Sequence, residues 1–453
     1  MFKYKTIYLN IFKMSVLVLG AGLVTAPLIR YLSDNNYLVT LASRTLDNAL
    51  KITRNYKNAI AEKCDVTKDQ DLLENLVEHH DITISMLPYI YHKIPFDLCL
   101  KFKKHFLSTS YTQDHMIERK DEILKKNIIV VNESGIFPGL ETASIMKVID
   151  ELHHDGYTIT SLISSCGGIP TPEANTNPFG YKFSWAPRGV LLAERNGATY
   201  IKNGVIEEYP TRAEVLNHTF WEDFGENIGK LEGIANRDSL KFIDLYNIKG
   251  VQTFIRATLR YPGWTDIIKF FHQLDLLSIE PNPNIIGKSY AEIIANKLNV
   301  SVNNLRSFMV SNNYNKHVID ALDFLGLFDD SLKIPENLEQ STLLDALAHR
   351  MKELMQYASG EKDMLPMIHR FIAVKNDNPI NIKNVISKAI FYGNDNGTAM
   401  ENTVSLPVAI VAKLILDNKF TTTGLHILNK KELYEPILSE LETYGYSYEV
   451  THS

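Results

Sequence analysis

The segment from Ser165 to Ala193 holds the residues of this chain that are most suggestive of chemistry. Cys166 stands beside two glycines and precedes a proline-punctuated polar loop that ends in Trp185 and Arg188. Neither a packed core nor a flexible linker requires this mixture, so the segment predicts a site. The sequence shows no nearby histidine that must form a thiolate pair with Cys166, and a thiol attacks well only when its pKa is depressed. We therefore expect Cys166 to line the site as a small buried residue.

A second pattern with chemical meaning is the glycine turn near the N-terminus. The apolar run from Ser15 to Leu19 predicts a strand buried on both faces. Gly20-Ala-Gly22 follows at once, and the periodic segment 23–32 predicts a helix. The first glycine of such a turn allows the tight bend, the second lets a pyrophosphate approach, and the helix N-terminus supplies N–H groups. Thr25 stands where a third glycine is usual, which makes the match to a dinucleotide site incomplete.

The end of the next strand bears on the choice of cofactor. An unphosphorylated ribose favours an acidic residue about 20 residues beyond the glycines. This chain has Ser43-Arg44-Thr45 there. A guanidinium and two hydroxyls suit a phosphate dianion, so we predict NADPH rather than NADH. The alternative is a solvated arginine at the start of a helix.

Strands and helices continue to alternate to about residue 131, which predicts a doubly wound parallel sheet. Ligands of such sheets gather at the carboxyl ends of the strands. The residues expected to line that crevice are Asp65, Val66, Leu87, Thr109, Ser110 and Tyr111.

Composition limits the classes of function. The chain has 453 residues, of which 45% are hydrophobic, and a formal net charge of −6 without a long basic run. These values predict a globular protein with small-molecule substrates and no nucleic-acid partner. Three cysteines without metal-type spacing fit a reducing compartment, so we expect a cytoplasmic protein without a metal. The sequence contains no run of eighteen apolar residues, so we do not expect a membrane span.

The predicted organisation has five parts. Residues 1–13 are expected to be an extension, and 14–135 a Rossmann NADP-binding domain. Residues 136–261 and 358–400 should form an α+β substrate and dimerisation domain, which includes a hairpin turning at Asn203-Gly204. A helical subdomain over 262–357 interrupts it, and C-terminal helices over 401–453 should return to the Rossmann domain.

The ordered motifs of the chain resemble those of the saccharopine dehydrogenases of the NADP, L-glutamate-forming type, also called saccharopine reductases. The matching segments are 20–25, 43–45, 109–111, 165–168, 177–185, 188–193, 236–239 and 258–261, with a weaker match at 423–426. The resemblance implies a Rossmann domain, a second domain with the substrate face and homodimer contacts, and an active site between them. It also implies a reaction in which NADPH reduces the imine of 2-aminoadipate 6-semialdehyde and glutamate to saccharopine, in lysine biosynthesis.

The resemblance, together with the strand-end argument, assigns roles to particular residues. Residues expected to touch the cofactor are Gly20, Ala21, Gly22, Leu23, Val24, Ser43, Arg44, Thr45, Asp65, Val66, Leu87, Thr109, Ser110 and Trp185. Residues expected to touch the substrate are Ser110, Tyr111, Arg237, Thr258, Leu259 and Arg260. Tyr111 and Cys166 are the candidate catalytic residues. Since saccharopine carries three carboxylates, forked guanidinium bonds from Arg237 and Arg260 would suit it.

One departure from the family pattern puts the substrate in question. Phe137 stands where the family has an aspartate that contacts substrate, and a phenyl ring cannot relay a proton. Glu141 or Glu133 could replace that carboxylate, although a surface position is the default expectation for Glu141. Two alternatives therefore stay open: an imine reductase of the opine or carboxyspermidine type, and a noncatalytic NADP(H)-binding regulator.

Overall fold

The computed structural model describes residues 14–338 and 340–453. The chain divides into two compact units. Unit 1 contains residues up to 157 together with 393–450, and unit 2 contains 158–392 with 451–453.

The strands are β1 Ser15–Leu19, β2 Leu38–Ser43, β3 Ala59–Lys63, β4 Ile82–Ser85, β5 His105–Ser108, β6 Ile129–Val131, β7 Tyr157–Cys166, β8 Ile169–Pro170, β9 Asn196–Lys202, β10 Val205–Thr211, β11 Phe220–Asp223, β12 Lys230–Ala235, β13 Arg237–Asp238, β14 Thr253–Arg260, β15 Asp363–Lys375, β16 Asn378–Tyr392, β17 Gly424–His426 and β18 Glu449–His452.

The α-helices are α1 Ala26–Asp34, α2 Leu46–Thr53, α3 Gln70–Glu78, α4 Lys93–Phe102, α5 Asp114–Ile117, α6 Lys120–Lys125, α7 Leu140–His154, α8 Pro187–Ala193, α9 Arg212–Val215, α10 Phe242–Leu245, α11 Trp264–Gln273, α12 Tyr290–Leu298, α13 Leu305–Ser311, α14 Lys316–Leu325, α15 Leu343–Leu354, α16 Ala399–Leu416 and α17 Lys431–Thr443. Short 3-10 turns lie at Tyr89–Tyr91, Pro172–Ala174, Pro283–Ile285 and Val302–Asn304.

Unit 1 is built on a parallel sheet with the strand order β17-β6-β5-β4-β1-β2-β3. The predicted doubly wound sheet is thereby confirmed. The order reverses between β1 and β4, because β1 pairs with β2 on one side and with β4 on the other. Such a reversal opens a crevice at the carboxyl ends of the strands, which is where ligands of these folds bind. The C-terminal segment adds a strand as well as helices, because β17 pairs in parallel with β6.

The first compact unit extends beyond the predicted end of the Rossmann domain. The prediction ended the Rossmann domain at 135, whereas the compact unit continues through α7 to Tyr157. Within unit 1, α7 packs against α17. Ten of the fifteen residues of α7 are buried, and its exposed residues Lys147, Glu151 and His154 recur at helical spacing on one face. The helix was not predicted from the sequence, although that spacing was the signal available.

Unit 2 is built on a mixed sheet whose main path is β10-β9-β14-β7-β15-β16-β18. The predicted hairpin is present between β9 and β10, and both Asn203 and Gly204 have positive φ, as a type I′ turn requires. The helices from α11 to α15 share one apolar core with the sheet. The long strand β16 was not predicted. Its first third, residues 378–382, is exposed and shows no buried face.

Among the described residues, α16 is the one helix that is long and apolar enough to span a membrane by length and composition. It is 83% buried inside the protein. Burial of this kind is what the core helix of a globular unit shows, and α16 packs against α1 and α17 within unit 1.

Candidate functional site

The glycine turn of unit 1 leaves backbone open at the end of β1. Gly20 has φ +105°, and a Cβ added there would lie 3.0 Å from the carbonyl oxygen of Met86, so glycine is required on both counts. A Cβ added to Gly22 would meet nothing within 4 Å. The turn therefore offers the close approach that a pyrophosphate needs, and its residues fit the dinucleotide predicted from the sequence.

Thr25 completes this turn where a third glycine was expected. It is fully buried, its hydroxyl donates to the carbonyl oxygen of Gly20 at 3.0 Å, and it accepts from the N–H of Gly22 at 3.1 Å. The threonine thus closes the turn by hydrogen bonds. Between these residues Ala21 and Val24 are half-buried, and the Leu23 side chain is 55% exposed.

The ends of β2 and β3 place a cation and a carboxylate at the same sheet edge. Ser43 ends β2, and Arg44 and Thr45 follow it with exposed side chains. Asp65 follows β3, and hydrogen bonds from Thr67, with a smaller contribution from the charge of Arg44, lower the pKa of its carboxyl group. An exposed guanidinium at this position can reach a phosphate without a cost of burial.

The other predicted residues of unit 1 complete the edge. Val66 is buried, while Leu87, Thr109, Ser110 and Tyr111 are half-buried beyond the ends of β4 and β5. Because the carboxyl ends of parallel strands share one edge, the structure brings the predicted cofactor residues of unit 1 together along it.

Two buried glutamates lie in unit 1 near the position of the missing aspartate. Glu133 has φ +53°, its N–H donates to the carbonyl of Ser110, and its carboxylate accepts from the N–H of Thr112, both at 3.0 Å. Glu141 accepts from the N–H of Gly139 at 3.4 Å in the first turn of α7. It is fully buried, so the expectation of a surface glutamate was wrong. Phe137 itself is half-buried.

In unit 2 the Cys166 segment packs against a predicted substrate strand. Cys166 is 4% exposed and pairs with Thr258 across the parallel strands β7 and β14. A Cβ on Gly167 would lie 2.4 Å from the carbonyl oxygen of Leu259. The glycine therefore permits close contact between two segments that were assigned to one site from the sequence.

Trp185 lies on the same segment, and a glycine fixes its ring. Its indole N–H donates to the Tyr181 hydroxyl at 3.2 Å. A Cβ on Gly189 would lie 2.7 Å from the indole ring, so the residue that follows Arg188 must be glycine for this packing.

Arg260 is buried in an ion cluster that sequence reasoning missed. Its guanidinium lies 3.9 Å from the carboxylate of Glu194, which accepts a 2.8 Å bond from Arg212. Although burial opposes the charge, Arg212 and then Arg260 hold the pKa of Glu194 below its ordinary value. The rings of Tyr181 and Trp264 lie 5.0 and 5.2 Å from the Arg260 guanidinium carbon.

The cluster leaves Arg260 with hydrogen-bonding capacity. Its Nη1 donates to the Leu259 carbonyl at 2.9 Å, whereas its Nε has no partner among residues 14–338 and 340–453. A buried N–H group without an acceptor lowers the free energy of unfolding unless a ligand provides the acceptor. An acidic residue directly after helix α8 and an arginine opening α9 were the signals available in the sequence, but nothing in their spacing joins them.

The second predicted arginine of unit 2 lies apart from the first. Arg237 is exposed and has φ +57°, a conformation that costs a non-glycine residue about 1 kcal/mol. The N–H of the preceding Asn236 donates to the carbonyl of Arg256, four residues before Arg260 in β14. Four residues of strand span about 13 Å, so the backbones of the two arginines lie apart along the sheet.

Comparisons with known proteins identify the family. Residues 16–131 match the saccharopine dehydrogenase NADP binding domain, and residues 135–446 match the saccharopine dehydrogenase C-terminal domain. The chain belongs to the saccharopine dehydrogenase family. The first family domain ends at residue 131 and the second begins at 135, whereas the compact unit extends further.

Relatives of this family cover nearly the whole chain. The saccharopine dehydrogenase [NADP(+), L-glutamate-forming] of Saccharomyces cerevisiae is 35% identical over 445 residues, which are 95% of this chain and 97% of that protein. The mitochondrial alpha-aminoadipic semialdehyde synthase of Rattus norvegicus is 32% identical over 445 residues, and the chain spans 47% of its length. The solved apo structure of the Saccharomyces cerevisiae enzyme superposes with a TM-score of 0.85, covering 97% of this chain and all of that one at 33% identity.

Proposed function

We propose that this chain catalyses the NADP(H)-dependent interconversion of saccharopine with 2-aminoadipate 6-semialdehyde and L-glutamate in lysine metabolism. The observation that carries the proposal is the match along almost the entire chain to the L-glutamate-forming enzyme of Saccharomyces cerevisiae. In the reductive direction the amine condenses with the aldehyde and releases water. Bound NADPH supplies the hydride that, with one proton, reduces the C=N bond.

Unit 1 holds the cofactor in this proposal. The open backbone at Gly22 would admit the pyrophosphate, and the exposed Arg44 would hold the 2′-phosphate together with the hydroxyls of Ser43 and Thr45. The carboxyl edge formed by Asp65, Val66, Leu87, Thr109 and Ser110 continues that surface, and Trp185 of unit 2 is assigned to the cofactor as well.

Unit 2 supplies the groups that bind the carboxylates of saccharopine. Arg260 offers a buried donor held by Glu194, and Arg237 offers an exposed cation. Because they lie apart along the sheet, we assign them to different carboxylates of the substrate. The main chain of Thr258 and Leu259, which packs on the Cys166 segment, positions the substrate beside Arg260.

Proton transfer is assigned to Tyr111, with Cys166 lining the site. Between the two glutamates, we infer that Glu133 takes the part of the absent aspartate, because its carboxylate bonds directly to the loop that carries Tyr111. Glu141 instead accepts bonds within the first turn of its own helix. The three cysteines are free, which supports a cytoplasmic location, and a homodimer is the proposed assembly.

The experiment is a turnover assay in both directions. Saccharopine with NADP+ should yield NADPH at 340 nm together with equimolar glutamate, and the reverse mixture should consume NADPH. Absence of turnover in either direction, while NADPH binds, would defeat the proposal.

A second candidate is an imine reductase for a related amino-acid substrate, and Phe137 is the observation that favours it. The Phe137→Asp variant separates the two. If the chain has drifted to another substrate, the aspartate should raise saccharopine kcat/KM about tenfold or more, whereas a saccharopine enzyme that uses Glu133 should gain nothing.

A further inference from the structure

A buried histidine of unit 1 bridges two strand ends at the proposed cofactor edge. His92 precedes α4 and is 1% exposed. Its Nδ1 lies 2.8 Å from the hydroxyl of Ser85, and its Nε2 lies 2.8 Å from the hydroxyl of Ser110. Ser85 ends β4, and Ser110 lies two residues beyond the end of the neighbouring β5. The imidazole therefore ties a loop residue at the sheet edge to a rigid strand.

The ring is held in one orientation by its surroundings. Phe106 of β5 meets it edge-on with ring centroids 6.5 Å apart. Burial, with a smaller effect from the charge of His115, lowers the pKa of His92 to about 4. The imidazole is thus neutral near pH 7 and has one donor nitrogen and one acceptor nitrogen.

A neutral ring between two serines has two tautomers, and each of them sets the direction of both hydroxyls. When the Ser85 hydroxyl donates to Nδ1, the Nε2–H donates to the oxygen of Ser110. The proton of the Ser110 hydroxyl then points away from the ring and can be donated to a ligand. A serine without such a partner samples three rotamers, and binding would have to select one of them.

We propose that His92 carries its proton on Nε2 and is a positioning residue that holds the Ser110 hydroxyl ready to donate a hydrogen bond to NADPH. The inference rests on the proposed function, since it takes Ser110 to be a cofactor contact. It adds a residue that the glycine turn and the strand-end pattern did not predict. His92 does not touch the cofactor in this account and acts only through Ser110.

Two variants of His92 separate positioning from packing. The amide nitrogen of glutamine can take the place of Nε2, so His92→Gln keeps the bond to Ser110. The shorter asparagine takes the place of Nδ1, so His92→Asn keeps only the bond to Ser85. The readouts are the dissociation constant of NADPH, measured by fluorescence, and the unfolding free energy of each variant in urea.

The expected result is a match between His92→Asn and Ser110→Ala. Each should weaken NADPH binding about tenfold, as loss of one well-placed hydrogen bond does. The double variant should bind no more weakly than Ser110→Ala alone, and His92→Gln should stay within about threefold of wild type. The inference would be overturned by equal losses of NADPH affinity in the Asn and Gln variants or by additive losses in the double variant. It would also be overturned if Ser110→Ala bound NADPH as tightly as wild type.

If the His92 variants do not fold, Ser85→Ala carries the test. Removing that hydroxyl frees the ring, so NADPH binding should weaken about threefold in the wild-type background and not at all with Ser110→Ala present. An effect that persists in the Ser110→Ala background would overturn the inference. Because binding is measured without turnover, a chain that fails the saccharopine assay still tests the role of His92.

Discussion

Each unit contains an arginine proposed to bind an anion, and the two are built in opposite ways. Arg44 of unit 1 is exposed at a strand end, whereas Arg260 of unit 2 is 5% exposed and is held by Glu194 and two aromatic rings. An exposed cation adds ligand specificity with little effect on folding. A buried cation attracts an anion more strongly because its surroundings are of low polarity. It needs a buried counter-charge, however, to offset the cost of removing its charge from water. Substitution of the exposed arginine should therefore affect ligand binding alone, whereas substitution within the buried ion cluster should also affect folding stability.

The largest effect should come from breaking the counter-charge in unit 2. Arg212→Met leaves Glu194 buried with the more distant Arg260 as its one remaining cationic partner among the described residues, so the unfolding free energy should fall by about 3–5 kcal/mol. Arg306→Met is the matched control, because its partner Asp323 is exposed and such pairs contribute at most about 1 kcal/mol. Urea unfolding of both variants checks this, and equal losses would remove the contrast between buried and exposed charge.

Acid should destabilise both units through their buried histidines. Burial, then the charge of Arg256, lowers the pKa of His369 to about 3, and the pKa of His92 is about 4. Since the unfolded chain titrates near 6.5, it binds more protons than the folded chain below that pH, and stability is lost as pH falls from 6.5 toward 4. Each histidine should contribute a loss of about 2 kcal/mol between pH 6.5 and 5.

Urea unfolding across that pH range measures the slope of the unfolding free energy against pH. His369→Gln should reduce the slope of unfolding free energy against pH by one histidine's share. An unaltered slope in His369→Gln would show that this ring titrates alike in both states.

The smallest effect concerns the glycine turn of unit 1. Gly22→Ala should weaken NADPH binding about tenfold and leave the unfolding free energy within about 0.5 kcal/mol, because the new Cβ meets only a ligand. Gly20→Ala should also lower stability, by about 1–3 kcal/mol, because φ is +105° and the Met86 carbonyl lies close. Fluorescence titration and urea unfolding of the two variants check the difference, and similar stability losses would contradict it.

Much of unit 1 could be predicted because its signals are local. A buried strand, two glycines and an N-terminal helical turn determine the cofactor edge, and Arg44 follows from counting to the next strand end. The alternation of strands and helices then fixes a parallel sheet. The helix α7 was missed although its exposed Lys147, Glu151 and His154 recur at helical spacing, because most of its other residues are buried and its polar stripe is narrow.

The ion cluster and the His92 bridge lay beyond sequence reasoning for a different reason. Glu194, Arg212 and Arg260 are separated by 18 and 48 residues, and only tertiary packing brings them together. His92 and Ser110 were likewise separate until β4 and β5 paired. Individual residues at strand ends could be named from the sequence, whereas the partners that orient them could not.

The most direct test of the account is a pair of dissociation constants, for NADPH and for saccharopine, in the variants Arg44→Met and Arg260→Met. Loss of a charge-assisted bond should weaken the affected ligand about 10- to 100-fold. The account predicts a crossed pattern, in which Arg44→Met weakens only NADPH and Arg260→Met weakens only saccharopine. The same ligand weakened in both variants, or neither ligand weakened in either, would contradict it.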